Sequence, residues 1–547
     1  MKRWPPAQPP DLLIAVLALV CGMSVAWPPL HLVVVDANIA TYFIENIGWR
    51  FFWVQRFIAH VPGDYVHPGQ GPLMPLIQAM YYLAGKLLGL DLYGQIQLFG
   101  QLTLAVSAIA LVILCLLIAF DRRLDRGIRA VLVTAPLVLS LSGPPLFAYD
   151  VYPDYLAYIK VLAPLFVWRW LHHRAWEGTL ASRDAAELGV LAGFLCALKI
   201  AYVPWTAGLL LIMLIAAAKT RRNKAWRIGR PAILGGFASM AGSYLIFYYG
   251  NPRSVAKFFV VLWRWGSSLT PSTSYLTDPN EAFMSLAAAF LAVVVGILLL
   301  LKVLPTRRNP TSLAVAAVVA VLAGMAAFTA VMRGGGSSSF DADVMVCLLC
   351  PVAAAMLEGR RKIQVASFAI AAVFFVWPAY WTATHWRTYE TVAVSGHQPL
   401  TDLATAGDWQ RELYEWDMSR SLPVYVLTPT NYETQGTIED MIYMGFQNFG
   451  GAGADYAGTL KALYPQLHFL YFDRPDVPLR LPPQRVVFLH VTGDPPPDFP
   501  QLDPTTKAIH EKMIAGLLHN RTVEECYRVK QPMTQQTIVS CVLSAPK

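Results

Sequence analysis

Up to about residue 385 the chain alternates long apolar blocks with short polar gaps; beyond it the blocks shrink to strand length and acids become frequent. A helix that crosses a bilayer needs about 20 predominantly apolar residues. Blocks near 12–35, 96–120, 130–147, 155–171, 186–199, 201–218, 231–249, 284–304, 313–332, 343–358 and 363–384 predict an α-helical polytopic membrane protein with about 11 transmembrane helices.

Two places break the regular alternation. Residues 36–95 form a first loop too long for a simple connector. Within it Ile39–Ala59 mixes Phe43, Ile47, Phe51, Phe52 and Phe57 with Arg50 and Arg56, the composition of a helix lying in the interface. Leu73–Leu90 is apolar apart from Lys86; as a twelfth span it would invert the rest, against the basic clusters, so it reads as a second interfacial or re-entrant helix. The other break is at Lys199, where the blocks 186–199 and 201–218 meet with almost no loop. Broken helices at membrane depth are tolerated where they line a cavity.

From residue 386 to 547 the pattern is that of a water-soluble domain. Leu422–Thr428, Leu467–Asp473 and Arg485–Val491 predict strands and Thr506–Leu518 predicts a helix, together a small α/β domain. The domain division is thus 1–385 in the membrane and 386–547 outside it.

Composition agrees with this division. The chain is 55% hydrophobic and 14% charged with mean hydropathy +0.44, far from the quarter charged that is usual in soluble proteins. Its net charge of +8 comes largely from short clusters in the gaps, not from one basic surface, which excludes a nucleic-acid binder. The clusters are Lys2-Arg3, Arg122–Arg129, His172–Arg174, Lys219–Arg230, Arg307-Arg308 and Arg360–Lys362. All fall on one side if the N-terminus is cytoplasmic, because short cytoplasmic loops retain Lys and Arg. That orientation fits a bacterial inner membrane and places 36–95, 148–154, 250–283, 333–342 and the C-terminal domain on the periplasmic side. The first block is too long for a signal peptide and reads as a retained span. Cys526 and Cys541 lie in strand-like sequence of the outer domain, where a disulfide is permitted and expected.

Candidate chemistry collects at the outer loops. Asp36 stands directly after the apolar run Val33-Val34-Val35. A carboxylate there is either a water-facing boundary residue or a general base at a cavity mouth. Asp150 and Asp154, among Tyr149, Tyr152 and Tyr155, form a short acidic loop. It serves either as an interfacial anchor or as a Mg²⁺ or Mn²⁺ site beside a phosphate. Asp64 and His67 sit in a Gly- and Pro-rich turn, as surface residues or as substrate contacts. Lys199, Arg253, Lys257, Arg264 and Arg333 are cations on the side that the positive-inside tendency depletes. An anionic lipid head group would account for their retention, with Arg binding phosphate in bidentate fashion and Lys acting as a point charge. Arg264 lies between Trp263 and Trp265 and is equally an interfacial anchor; Arg333 opens a Gly-Ser loop that is either a cover over substrate or a linker.

The pattern resembles the GT-C fold, the integral membrane glycosyltransferases that include protein O-mannosyltransferases and lipid A aminoarabinose transferases. The similar features are Asp36 after the first span, the long first loop, the turn His67-Pro68-Gly69 and the elbow Gly189…Gly193-Phe194…Leu198-Lys199. The resemblance implies transfer of one sugar from a polyprenyl-phosphate donor to a glycan, lipid or protein acceptor on the outer face; a single displacement opposite the leaving phosphate would invert the anomeric centre. Asp36 would then be the base, supported by Asp150 and Asp154, and Asp64, His67, Lys199, Arg253, Arg264 and Arg333 would bind substrate. Other classes stay open. A flippase or transporter for lipid-linked sugars needs polar groups through the full membrane thickness, and the charged residues within the blocks, Lys160, Arg169 and Glu187, lie towards helix ends. A non-catalytic envelope assembly subunit would make the clustering of outer acids accidental.

Overall fold

The structure, a computed structural model, describes residues 9–35, 71–90, 92–141, 155–220, 222–268, 337–355, 360–384, 419–428, 467–471, 480–493, 504–530 and 537–547, with isolated positions 54, 57, 58, 413, 416 and 417. Its helices are α1 (Pro9–Val35), α2 (Leu73–Leu87), α3 (Leu92–Ala119), α4 (Arg126–Leu141), α5 (Tyr155–His172), α6 (Ser182–Leu198), α7 (Val203–Thr220), α8 (Arg222–Phe247), α9 (Pro252–Ser268), α10 (Ser337–Ala355) and α11 (Arg360–Thr384).

These helices bury one face and expose an apolar one. On α3, Leu104, Ala108, Leu111 and Cys115 are buried while Val106, Ile109, Ile113 and Leu117 are exposed. On α1 the buried set is Ile14, Ala18, Cys21 and Val25 and the exposed set Leu12, Val16, Leu19 and Met23. On α11 the buried Ser367, Ala371 and Phe374 oppose the exposed Val365, Phe368, Val373 and Val376. Apolar stripes at helical spacing are costly against water and stable against lipid. Among the described residues, Leu98–Ala119 and Ile200–Ala218 are long and apolar enough to cross a membrane. Asn223–Phe247 with Pro252–Val260 would make a third span if that bent pair counts as one, and Asp11–Ala26 and Ser367–Val376 are shorter apolar helices. The described helices therefore give two or three candidate spans where the sequence pattern predicts about eleven. The expected spans at 284–304 and 313–332 lie outside the described residues.

Small residues set the tightest packing. A Cβ on Gly189 would lie 2.0 Å from the Ala232 carbonyl oxygen, and one on Gly193 would lie 2.0 Å from Ser239 Oγ and 2.2 Å from the Gly236 oxygen. Backbones of α6 and α8 can approach this closely only where a side chain is missing. Ser239 Oγ completes the contact by donating to the Val190 carbonyl at 3.1 Å.

One expected loop is a helix. Residues 250–283 read as an outer connector, yet α9 occupies Pro252–Ser268, turned 103° from α8. The turn is built into the chain. Gly250 N–H donates to the Leu245 carbonyl at 2.7 Å and Tyr249 N–H to Ile246 at 3.2 Å, closing α8 with Tyr249 and Gly250 at φ 52° and 70°. Left-handed backbone costs a residue with a Cβ roughly 1–2 kcal/mol, and Phe57 stacks on the Tyr249 ring at 5.1 Å. Asn251 Oδ1 then accepts from the amides of Arg253 and Ser254 and starts α9.

The C-terminal domain is α/β, with a five-stranded sheet in the order β2-β1-β3-β5-β4. Strands β1 (Val424–Thr428), β2 (Leu467–Tyr471) and β3 (Val486–Thr492) are parallel; β5 (Thr537–Leu543) runs antiparallel to β3 and to β4 (Val523–Lys530). The continuous apolar run of β3 is buried on both faces, as a central strand requires. Edge strand β4 instead carries Glu524, Glu525, Arg528 and Lys530, which discourages pairing with another chain. Helix α12 (Pro504–Leu518) packs Met513, Ile514, Leu517 and Leu518 against the core of the sheet. Cys526 and Cys541 face each other across β4 and β5 and form a disulfide.

Candidate functional site

The elbow at Lys199 follows from its local sequence. Helix α6 closes at Leu198, and Lys199 takes an extended conformation at φ −152° and ψ 121°. A short 3-10 turn, Ile200–Tyr202, leads into α7. Pro204 has no N–H to continue the earlier helix, yet fits the first turn of the next one. Lys199 is 8% exposed. Beside it the aromatic floor is Phe166, Tyr202 and Trp205, with ring centroids 6.0 and 6.2 Å from Trp205. Thr206 Oγ1 donates to the Tyr202 carbonyl at 2.9 Å and lies 3.2 Å from Cys196 Sγ, tying both arms of the elbow together. The Trp205 indole N–H is buried with no hydrogen-bond partner.

The first loop ends on this elbow. Gly71 N–H donates to the Leu198 carbonyl at 2.8 Å, capping one of the last α6 carbonyls that the helix leaves open. A Cβ on Gly71 would sit 1.8 Å from the Ala197 carbonyl oxygen, so the contact demands glycine. His67 stands four residues before Gly71 in the chain.

A second polar region gathers at the opposite end of α6, about 25 Å away along the 17-residue helix. Arg169 forms a two-pronged ion pair with Glu187 and lies 3.1 Å from His173 Nε2. His173 Nε2 also lies 3.2 Å from Glu187 Oε2, and its Nδ1 lies 3.5 Å from Asp184 Oδ2. Burial holds the His173 imidazole below its ordinary pKa, in keeping with a neutral ring. His173, Asp184 and Glu187 also have the donor atoms and spacing to hold a metal ion. The Arg169 guanidinium already contacts two of the three, Glu187 and His173. Next to them His172 Nδ1 lies 2.5 Å from Asp121 Oδ2, which also accepts from Trp168 Nε1 at 2.8 Å. Arg123 covers the other ring nitrogen of His172 at 3.1 Å. The belt continues through Arg129, which donates to Asp11 at 2.7 Å and to the Ala119 carbonyl at 2.5 Å, and through Gln364, 3.3 Å from Asp125. Ser182 Oγ reaches the Arg227 carbonyl at 3.2 Å. Helix ends carrying basic clusters 122–129, 172–174, 222–230 and 360–362 thus meet in one band.

Sequence reasoning singled out Lys199, Arg253 and Arg264, and the structure separates them. Lys199 is enclosed in the elbow, whereas Arg253 is exposed on α9 and position 264 lies further along the same helix. Asp36, Asp64, His67, Asp150, Asp154 and Arg333 lie outside the described residues. What sequence reading missed is the belt: Asp121 with His172 and Asp184 with His173, partners far apart in the chain. Its nearest signal is Asp184 and Glu187 three apart, one turn before an apolar block. Cys347 and Cys350, three apart on α10, are buried.

Comparison of the chain with protein-family models and with curated proteins finds no match.

Proposed function

We propose that the chain is a membrane glycosyltransferase of the GT-C kind, with about 11 spans, an outer α/β domain and its reaction site at the elbow end of α6. One observation carries this reading: the first loop is anchored by Gly71 on the carbonyl of Leu198, beside the buried Lys199. An anchored loop, a buried cation and an aromatic floor at one helix break are what an anionic lipid-linked donor requires. In this reading the acceptor hydroxyl attacks the anomeric carbon while Asp36 takes its proton. The bond from that carbon to the phosphate oxygen breaks, the polyprenyl phosphate leaves with the electron pair, and the centre inverts. Lys199 acts as a point charge on the leaving phosphate, the place where charge develops in the transition state. Asp150 and Asp154 support the acceptor or a divalent ion. The N-terminus is cytoplasmic and the belt is the cytoplasmic side, in line with its basic helix ends.

A transporter would need charges exposed along a path through the bilayer. Belt charges pair with each other instead, which favours the transferase. The test is mass spectrometry of membrane glycans and lipid A with and without the protein. The reading expects one sugar to be missing from one outer-face product in its absence, and identical profiles would overturn it.

A further inference from the structure

The charges on edge strand β4 are sorted along its length. At its start Glu524 and Glu525 are each held by an arginine, Arg485 at 2.5 Å and Arg420 at 2.8 Å. At its far end Arg528 and Lys530 are exposed, and their side chains make no ion pair or hydrogen bond among the described residues. Charge of either sign guards an edge strand, so protection alone does not account for two unpaired cations at one end.

The sheet register shows what stands beside them. Arg528 is level with Val539 and His490, and Lys530 with Thr537 and Thr492. Cross-strand partners share a face, and so do residues two apart in a strand, which puts these six on one face. It is the face that α12 covers, because Val539, Phe488 and Cys541 of the same rows pack with Met513 and Ile514. Helix α12 follows β3 and runs back along it. His510, on α12, and Arg528 both act electrostatically on His490, so these three are neighbours. From His510 to Pro504 the helix rises about 9 Å. From His490 to Gly493, where the chain turns at φ 89°, the strand advances about 10 Å. The N-terminus of α12 therefore stands level with the end of β3 and beside the row of Lys530. A helix N-terminus presents open N–H groups and the positive end of the helix dipole.

His490 is the second, independent sign of a ligand. It is 6% exposed, and its ring stacks on Phe488, two residues back, at 5.1 Å and 23°. The other face of the ring is thereby turned towards the end of the sheet. Its Nδ1 is buried and has no hydrogen-bond partner. Thr492 Oγ1 is already used, donating to the Thr537 carbonyl at 3.3 Å. No side chain in these rows is acidic.

We propose that this end of the C-terminal sheet is a phosphate site, where Arg528, Lys530 and the N-terminus of α12 hold a phosphate group over the imidazole of His490. The ligand class is inorganic phosphate or a phosphoester. Helix end and edge strand approach from different directions, which suits a tetrahedral anion better than a planar carboxylate. Arg528 supplies a fork, Lys530 a point charge, and a neutral His490 protonated on Nδ1 one further donor. None of these residues belongs to the elbow, so the site stands apart from the transferase reading.

The test uses the full chain in phosphatidylcholine nanodiscs, with inorganic phosphate exchanged for chloride at constant ionic strength. Hydrogen exchange is read by mass spectrometry on peptides from the start of α12 and from β4. Phosphate should slow exchange in both. Arg528→Gln/Lys530→Gln should weaken the apparent phosphate affinity by about tenfold or more, and His490→Phe, which keeps the ring stack, by about threefold. Arg528→Lys should keep most of the affinity, and unchanged exchange of β3 without phosphate shows that each variant is folded. Lys199→Ala should leave this response as it is, which separates it from anion binding at the elbow. Protection by phosphatidate in the nanodisc that soluble phosphate does not reproduce would keep the site and assign its phosphate to a lipid head group. Equal exchange in phosphate and chloride, with no effect of phosphatidate, overturns the proposal, as does an unchanged affinity in the double variant.

Discussion

The two ends of α6 carry different polar groups and hold them in different ways. At the Ser182 end, Arg169 pairs with Glu187, and His173 lies against Arg169, Glu187 and Asp184. At the Leu198 end, one lysine is buried, an indole N–H has no partner and a loop glycine is pressed against the backbone. Mutually satisfied charges fix helix ends and leave nothing to offer a ligand. A buried indole N–H without a partner, as at Trp205, costs stability.

The largest expected effect breaks or confirms the choice of end. Asp36→Asn keeps size and hydrogen bonding but removes basicity, so turnover should fall by about 10²–10⁴-fold in a folded protein. Near-normal turnover in a lipid-linked sugar transfer assay would move the base elsewhere. Next comes the joint between α6 and α8: Gly193→Leu drives a side chain into Ser239 and the Gly236 carbonyl, and should cost about 3 kcal/mol or more in thermal or denaturant unfolding. Gly71→Ala sharpens the contrast, since its methyl meets only the elbow. Donor binding should weaken while the belt, followed by hydrogen exchange of α4 and α5, stays protected. Arg169→Met should do the reverse. The pair is partly exposed, so its loss should cost only about 1 kcal/mol, with turnover per folded molecule unchanged.

The same contrast recurs in the C-terminal sheet and predicts a pH dependence. Burial pushes the Asp417 carboxyl up to about 8, although Ser540 donates to it at 2.6 Å; its other oxygen is buried without a partner. Burial pushes His490 and His510 down to about 4. Each histidine is favoured neutral in the fold and adds stability as pH rises from about 4 to 6.5. Asp417 is favoured protonated, so its contribution is full below pH 3.8 and is lost as pH rises to about 8. Two groups gain and one loses below pH 6.5, and only the loss continues above it. Sheet stability should therefore peak near pH 6.5, with slopes of about 1 kcal/mol per pH unit on either side. Hydrogen exchange of β3 and β5 in the full chain, corrected for intrinsic rates, checks this. Asp417→Asn should abolish the decline above the peak.

How much was legible in the sequence varies with the range of the interactions. Strands β1, β2 and β3 and helix α12 fall within a few residues of their sequence-predicted limits, because short apolar runs between turn residues carry the information locally. The elbow was legible for the same reason, from Lys199 between two apolar blocks. Helix α9 was not: its apolar residues are interrupted by three cations, and a search for long apolar runs passes over it. The spacing of those cations, four and then seven residues, was the signal to read. The belt was illegible because its partners are distant in the chain, 51 residues for Asp121 and His172. The close contact of Gly71 with Ala197 is likewise a fact of three dimensions that no local pattern records.

The claim that the elbow is the reactive end is tested most directly at Lys199. Donor binding and thermal midpoint are measured together for Lys199→Ala and Lys199→Arg, using a polyprenyl-phosphate sugar and the full chain in lipid. The account predicts that Lys199→Ala loses donor affinity by more than tenfold with little change in midpoint, and that Lys199→Arg recovers much of the affinity. A fall in midpoint with donor affinity unchanged would make Lys199 a structural cap of the elbow and contradict it.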